Sequence, residues 1–448
     1  MKARRVWWLV GLAVWLGAAG PLLAQRSPYG VEEYNSYVET DPARTPDPAT
    51  RLQAIDTFLE KYPESVLRAF VYPNQARTAF QLQRYDLCMQ AVDDFVGMDR
   101  EQVASFLRQS QYNDTQIDGV YFEMLLLNTY AVLRSFREGP GADALAARAA
   151  ERARQGLEMH QKLYGAVQPP ADPAQRKQFE DQKNQQAASF HNVLAFVAWR
   201  KNDWTAAARE YGALVKMTPN DPVFNYRLAL ASLQAPTPDY RKGVWHLARA
   251  VALKINKSED VKEYLTKVMS GHQQVVPECL QGQVNTLVAR AAASSEPPAD
   301  WRLVDGDRVN AIRGEMSVKR IFDDLKAGGD TAELMFLASC GTEIGLGEGG
   351  QPEMWVLVIG KSESPDNSVT LRVAAGPEAV DAKTANVEVK VVAPPEAKNL
   401  KPEDQVRVSG KISGYESAPF LIRLTDGKVN AEDIPKPTPA RRGGSRGR

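Results

Sequence analysis

Side chains able to act as acids, bases, nucleophiles or metal ligands are sparse in this chain of 448 residues. The four histidines, His160, His191, His246 and His272, have no second histidine, cysteine or carboxylate at the spacing of a zinc ligand set. They read as surface or groove side chains. No cysteine lies beside a histidine, no Gly-x-Ser-x-Gly elbow occurs and no helix carries His-Glu-x-x-His, so the local signatures of a nucleophilic or metal hydrolase are missing. The string Gly345-Leu346-Gly347-Glu348-Gly349-Gly350 spells a dinucleotide fingerprint, but that fingerprint stands between a strand and the helix whose N-terminus takes the pyrophosphate. Here the glycines lead into the apolar run Met354 to Ile359, which makes them a mobile loop. The acid pairs Asp93-Asp94 and Asp323-Asp324 lie in helical context and read as solvated faces. Neither catalysis nor a metal nor a cofactor is expected, and the chain reads as a binding protein rather than an enzyme.

The charge pattern narrows the class of partner. The chain is formally neutral, yet Lys2, Arg4 and Arg5 crowd its first residues and Lys436, Arg441, Arg442, Arg446 and Arg448 its last, leaving a body in which acids outnumber bases. A nucleic-acid partner calls for a basic face and is not expected. The basic head is followed by the uncharged apolar run Val6 to Leu23 and a small residue at Ala24, the order of a secretory signal over residues 1–24. An uncleaved membrane anchor is the alternative, and no other stretch is apolar enough to span a bilayer. The mature chain is therefore expected to be exported, periplasmic or secreted. Cys88, Cys279 and Cys340 are too few and too far apart for a disulfide scaffold. Three separate buried thiols are expected, a single bridge being the alternative that export permits.

These features need elements to position them, and from Pro48 to Ala293 the pattern is helical. Phe190, Val193, Leu194, Val197 and Ala198 form an apolar stripe of helical period. After Lys201-Asn202-Asp203 the period resumes with Trp204, Ala207, Ala208, Tyr211 and Val215, so two amphipathic helices meet at a short polar turn. Thr218-Pro219 closes the second. Val223, Tyr226, Leu230 and Leu233 then begin another helix, and Val244, Leu247, Ala248 and Val251 supply its partner. This arrangement resembles the tetratricopeptide repeat, a unit of about 34 residues with small residues where its two helices cross. With Pro219 as the terminal proline the unit begins at Ala188, and Ala195 and Ala207 take the crossing positions. An earlier unit places Ala76 and Cys88 there, with Tyr85 after the turn; the helix before it, ending at Pro63, fits a second helix of the family. Val120 to Phe136 and Ala142 to Tyr164 pair without the signature, so the array over 29–293 is irregular.

Past a polar, proline-bearing linker at 294–300 the pattern changes. Helical stretches at Val318 to Leu325 and Thr331 to Leu337 precede five or so short strands: Met354 to Ile359, Val369 to Val373, Val387 to Val391, Val406 to Ile412 and Phe420 to Leu424. The last pair resembles strands of an OB-fold. The fold expected is thus an α-helical repeat solenoid, a tetratricopeptide-like α-α superhelix, followed by a small, mostly β, OB-like barrel domain over 301–434. The segment 435–448 lacks core-forming residues and reads as a disordered basic tail.

The first resemblance implies a concave groove lined by the first helix of each pair, which holds a protein or peptide partner. It assigns Asn192, Phe196, Trp199 and Arg200 to that face on one unit, Tyr226 and Leu230 on the next, and Arg77 and Phe80 on the earlier one. Asparagine and arginine would hold a peptide backbone or carboxylate, and the aromatics would supply apolar contact. The second resemblance implies an alternative surface for an oligonucleotide or oligosaccharide, built from Arg407, Lys411, Tyr415 and Phe420. Acids outnumber bases over 300–433, which favours a structural or protein-binding role for that domain.

Overall fold

The computed structural model describes residues 28–165, 167–347, 356–363 and 368–435. The expected signal, the last three residues of the glycine string and nearly all of the expected tail lie outside the described residues. The helices run α1 (Val31–Val38), α2 (Pro48–Lys61), α3 (Arg68–Gln81), α4 (Tyr85–Gly97), α5 (Arg100–Gln109), α6 (Asp114–Ser135), α7 (Ala142–Gly165), α8 (Pro173–Arg200), α9 (Trp204–Met217), α10 (Pro222–Gln234), α11 (Tyr240–Ala252), α12 (Ser258–Gln273) and α13 (Gln281–Ala293). Three more follow, α14 (Gly306–Gly314), α15 (Val318–Ala327) and α16 (Gly329–Ser339). Among the described residues no helix is long and apolar enough to cross a membrane. The fold is a helical-repeat array followed by a curled sheet domain.

Aspartate caps set where many of these helices begin. The side chains of Asp47, Asp99, Asp203, Asp221 and Asp239 each accept a hydrogen bond from a first-turn amide, each worth about 1 kcal/mol over alanine. The hairpin turns expected from the sequence fold as short left-handed reversals, at Gln83 with φ 60° and Asn202 with φ 55°. The crossing residues Ala76, Cys88, Ala195 and Ala207 are all fully buried. A larger side chain there would hold the paired helices apart.

The chain divides into two compact units between Val193 and Leu194, inside α8. In the first unit, α3 packs on α4, and α6 on α4 and α7. Phe58, Phe95 and Phe190 are among its largest fully buried side chains. At Gly156 a Cβ would stand 2.2 Å from the Phe190 ring, so glycine alone permits the close approach of α7 to α8.

In the second unit α9, α10 and α11 pack in succession, and α11 packs on α12 and α13. The apolar cluster of α11 to α13 does not stop at the proline-bearing segment: it takes in Val309 of α14 and Leu334, Leu337 and Ala338 of α16. The opposite side of α16, Ala332 and Met335, belongs to the core of the sheet. A helix buried on both sides has no single apolar stripe.

The sheet contains β1 (Glu343–Leu346), β2 (Val356–Glu363), β3 (Val369–Ala375), β4 (Val387–Ala393), β5 (Gln405–Val406), β6 (Val408–Ser417) and β7 (Phe420–Val429), with a short helix α17 (Pro377–Asp381) after β3. Among the described residues its seven strands lie in the order β1-β6-β7-β4-β3-β2-β5. Antiparallel pairs dominate, and β4 with β7 is parallel. The strand β5 pairs with β2, and one residue later the same stretch continues as β6 between β1 and β7. The sheet therefore curls so that its β5 end approaches β6, next to the opposite edge.

Two expectations need correcting. Gly345 and Leu346 belong to strand β1, paired with Ser409 and Val408 of β6, and are not loop. Ladder pairing with β6 overrides the weak strand preference of glycine. Cys279 and Cys340 are joined in a disulfide across a sequence separation of 61 residues, and only Cys88 is a free buried thiol. The apolar cluster that Met269, Val275 and Leu280 share with Leu334, Leu337 and Ala338 brings together two cysteines that linear spacing keeps apart.

Candidate functional site

The eight expected groove residues are distributed over both units: Arg77, Phe80 and Asn192 in the first, Phe196, Trp199, Arg200, Tyr226 and Leu230 in the second. In the first unit Arg77 is committed to Glu123, its Nε and Nη2 donating at 2.7 and 2.6 Å. Phe80 packs on Tyr85 and Tyr130 and lies under the Arg134 guanidinium. Asn192 is half-buried on α8.

In the second unit Trp199 is engaged on several sides. Trp204 and Tyr211 meet it edge-on at centroid distances of 5.0 and 6.0 Å, and the Arg227 guanidinium stacks over it at 4.9 Å. It works as the joint between α8, α9 and α10. Phe196, Arg200 and Leu230 are half-buried.

Tyr226 stands apart from these. It lines a pocket of about 240 Å³ together with Ile255, Asn256, Lys257, Asp260, Val261 and Tyr264. The pocket is held by the local fold. Next to Tyr226, Asn225 is fully buried; its Nδ2 donates to the carbonyls of Pro219 and Asp221, and its Oδ1 lies 2.9 Å from His246 Nδ1 on α11. Arg249, also buried, donates to Pro219 O, Asn220 Oδ1, Ala291 O and Ser294 O, tying the start of α10 to the end of α13. The opposite wall is the turn between α11 and α12, where Lys254 and Lys257 both take φ 58°. That double reversal presents Ile255, Asn256 and Lys257 before α12 begins.

Lys257 and Asp260 have no ion-pair partner among the described residues. Tyr264, 36% exposed, has its hydroxyl pushed above the usual tyrosine range by burial first, and by Tyr226 and Tyr240 nearby. It remains a protonated donor at any physiological pH. The pocket can thus take an apolar or aromatic side chain between two rings and meet a charge of either sign at its rim. Tyr264, Lys257, Asn256 and Asp260 were not identified from the sequence. The signal available was the helical spacing of Val261, Tyr264 and Leu265 in a stretch that lacks the repeat signature.

The alternative set on the sheet is not one surface. Arg407 is held by Asp433, with its backbone N and Nε both donating to Oδ2 and Nη2 to Oδ1, and reaches Glu432 as well. Lys411 pairs with Asp426 at 3.0 Å. Tyr415 and Phe420 instead pack inward on Phe336 of α16 and Phe322 of α15. Among the described residues no group of three histidine, cysteine or acidic side chains is placed to hold a metal ion.

No family model and no curated protein matches the chain. Among solved structures, one described as the complex of the TPR2AB domain of yeast Sti1 with pHSP90 aligns over 60% of this chain and 99% of its own, at 12% identity and a TM-score of 0.19. At that score the likeness carries no weight, and the repeat architecture rests on the helix hairpins themselves.

Proposed function

We propose that the protein is an exported, non-enzymatic scaffold that holds an extended segment of a protein partner against α10 and α12, with the tyrosine pocket as anchor. The observation that carries this reading is Tyr226 and Tyr264 flanking one small open pocket whose Lys257 and Asp260 are uncommitted among the described residues. Tyrosine offers a rigid, amphipathic ring, and aromatic anchors seated in pockets dominate the energetics of protein interfaces. About 240 Å³ lies below the range of sites that enclose whole small ligands, and suits a single partner side chain. Export is supported by the Cys279–Cys340 bridge, because structural disulfides persist in oxidising compartments. We read the sheet domain as an OB-like barrel in a structural role. Its curled sheet is loosely in keeping with that architecture, while Arg407 and Lys411 are paired with acids and Tyr415 and Phe420 pack on Phe336 and Phe322.

A photo-crosslinking amino acid at position 264 in intact cells should capture a defined protein that the same residue at exposed Lys177 does not. The purified partner should then bind the full chain about thirtyfold more weakly after Tyr226→Ala with Tyr264→Ala, the loss of about 2 kcal/mol typical of an interface anchor. Unchanged affinity in that double variant would remove the pocket from the reading.

A further inference from the structure

A second cup lies in the same unit, between α14, α15 and α16, with a volume of about 280 Å³. Its lining is mixed: the apolar part comes from Ile312, Leu334 and Met335, of which Leu334 and Met335 are almost wholly buried and Ile312 packs beside both the helical and the sheet cores. Four charged side chains stand around it. Arg320 is already satisfied, by Glu315 at 2.7 Å and by Asp324 at 3.4 Å. Arg308 and Asp330, both exposed, line the same cup and pair neither with each other nor with any other described residue.

We infer that this cup binds a free zwitterionic α-amino acid with an aliphatic side chain. An uncommitted cation and an uncommitted anion on one rim match a ligand that carries one charge of each sign. Arg308 offers forked N–H donors to the α-carboxylate, and Asp330 accepts from the α-ammonium; both are charge-assisted bonds, the stronger kind. The side chain then lies on Ile312, Leu334 and Met335. The volume, like that of the tyrosine pocket, lies below the usual range of sites that enclose whole small ligands, so a free ligand held here must be as small as a single amino acid. The cup shares no residue with the tyrosine pocket, so the two sites succeed or fail separately.

The test is calorimetric titration of the full chain with L-leucine, 4-methylpentanoate, which lacks the ammonium, and 3-methylbutylamine, which lacks the carboxylate. L-Leucine should bind saturably at millimolar concentration or below, and each analogue at least about tenfold more weakly, as should L-leucine to Arg308→Gln and to Asp330→Asn. Both side chains are exposed, and circular dichroism should show both variants folded. Absence of saturable binding for L-leucine, L-valine and L-methionine alike overturns the assignment. So does L-leucine binding that survives both substitutions.

Discussion

At the scale of single residues, His246 shows how burial fixes a proton. The Asn225 amide nitrogen is spent on two carbonyls, so its oxygen must accept, and His246 must donate from Nδ1. Nε2 then lies buried without a hydrogen-bond partner, the exposed Glu296 carboxylate standing off at 4.0 Å, beyond hydrogen-bond reach and too far to offset the burial. Burial, helped by Lys242 and Arg249, lowers the ring to about 3 from an ordinary 6.5. Unfolded, the ring takes a proton as the pH falls through 6.5; folded, it does not until about 3. In that window the unfolded state holds the extra proton, and stability drops by up to about 1.4 kcal/mol per pH unit on acidification. The contribution is complete above pH 6.5. Urea denaturation between about pH 7 and about pH 4 should show this slope in the native chain and a clearly shallower one in His246→Gln. Equal slopes would mean that the ring titrates in the fold as it does in water. The sequence marked His246 only as a surface or groove histidine; its partner, Asn225, lies on another helix and left no local trace.

At the scale of elements, legibility followed periodicity. Helices α9 and α11 carry strong apolar stripes, and with α10 between them each starts at an aspartate cap, so their hairpins appear where the sequence places them. Helices α1 and α14, and strand β1, are eight, nine and four residues long, too short to display a clear period. The bridge between Cys279, in the turn Pro277–Leu280, and Cys340, just after α16, belongs with these. Closing a loop of 61 residues removes freedom from the unfolded chain worth about 4 kcal/mol in the entropic account. Cys279→Ser with Cys340→Ser should therefore unfold at lower denaturant than the native chain, by roughly 2–4 kcal/mol. Reduction should destabilise the native chain to match the variant and leave the variant unaffected. Cys88, its thiol pushed up to about 12 by burial, contributes no competing reactivity.

At the scale of the molecule, composition and packing divide the chain differently. The proline-bearing stretch before Asp300 reads as a linker, yet the backbone there is strapped to α11: Arg241 donates to the carbonyls of Pro298 and Trp301, and the Trp301 ring lies 5.3 Å from that of Trp245. Polar and proline content reports that a segment makes no regular element of its own; it carries no information on what the next element rests against. Cutting at residue 301 would uncover Val309, Leu334, Leu337 and Ala338 and remove the partner of Cys340. At about 1.5–3 kcal/mol for each of the three larger side chains, added to the lost cross-link, the deficit is of the same order as the whole stability of a domain. A fragment spanning 301–435 should accordingly bind a hydrophobic dye and lack the cooperative melting of the full chain. Substituting Leu334 and Leu337 by glutamine in that fragment should suppress the dye signal, because the exposed patch is its source. A fragment that melts cooperatively and leaves the dye dark would show that the sheet with α15 and α16 is self-sufficient. The α11 to α13 face would then serve only to position it.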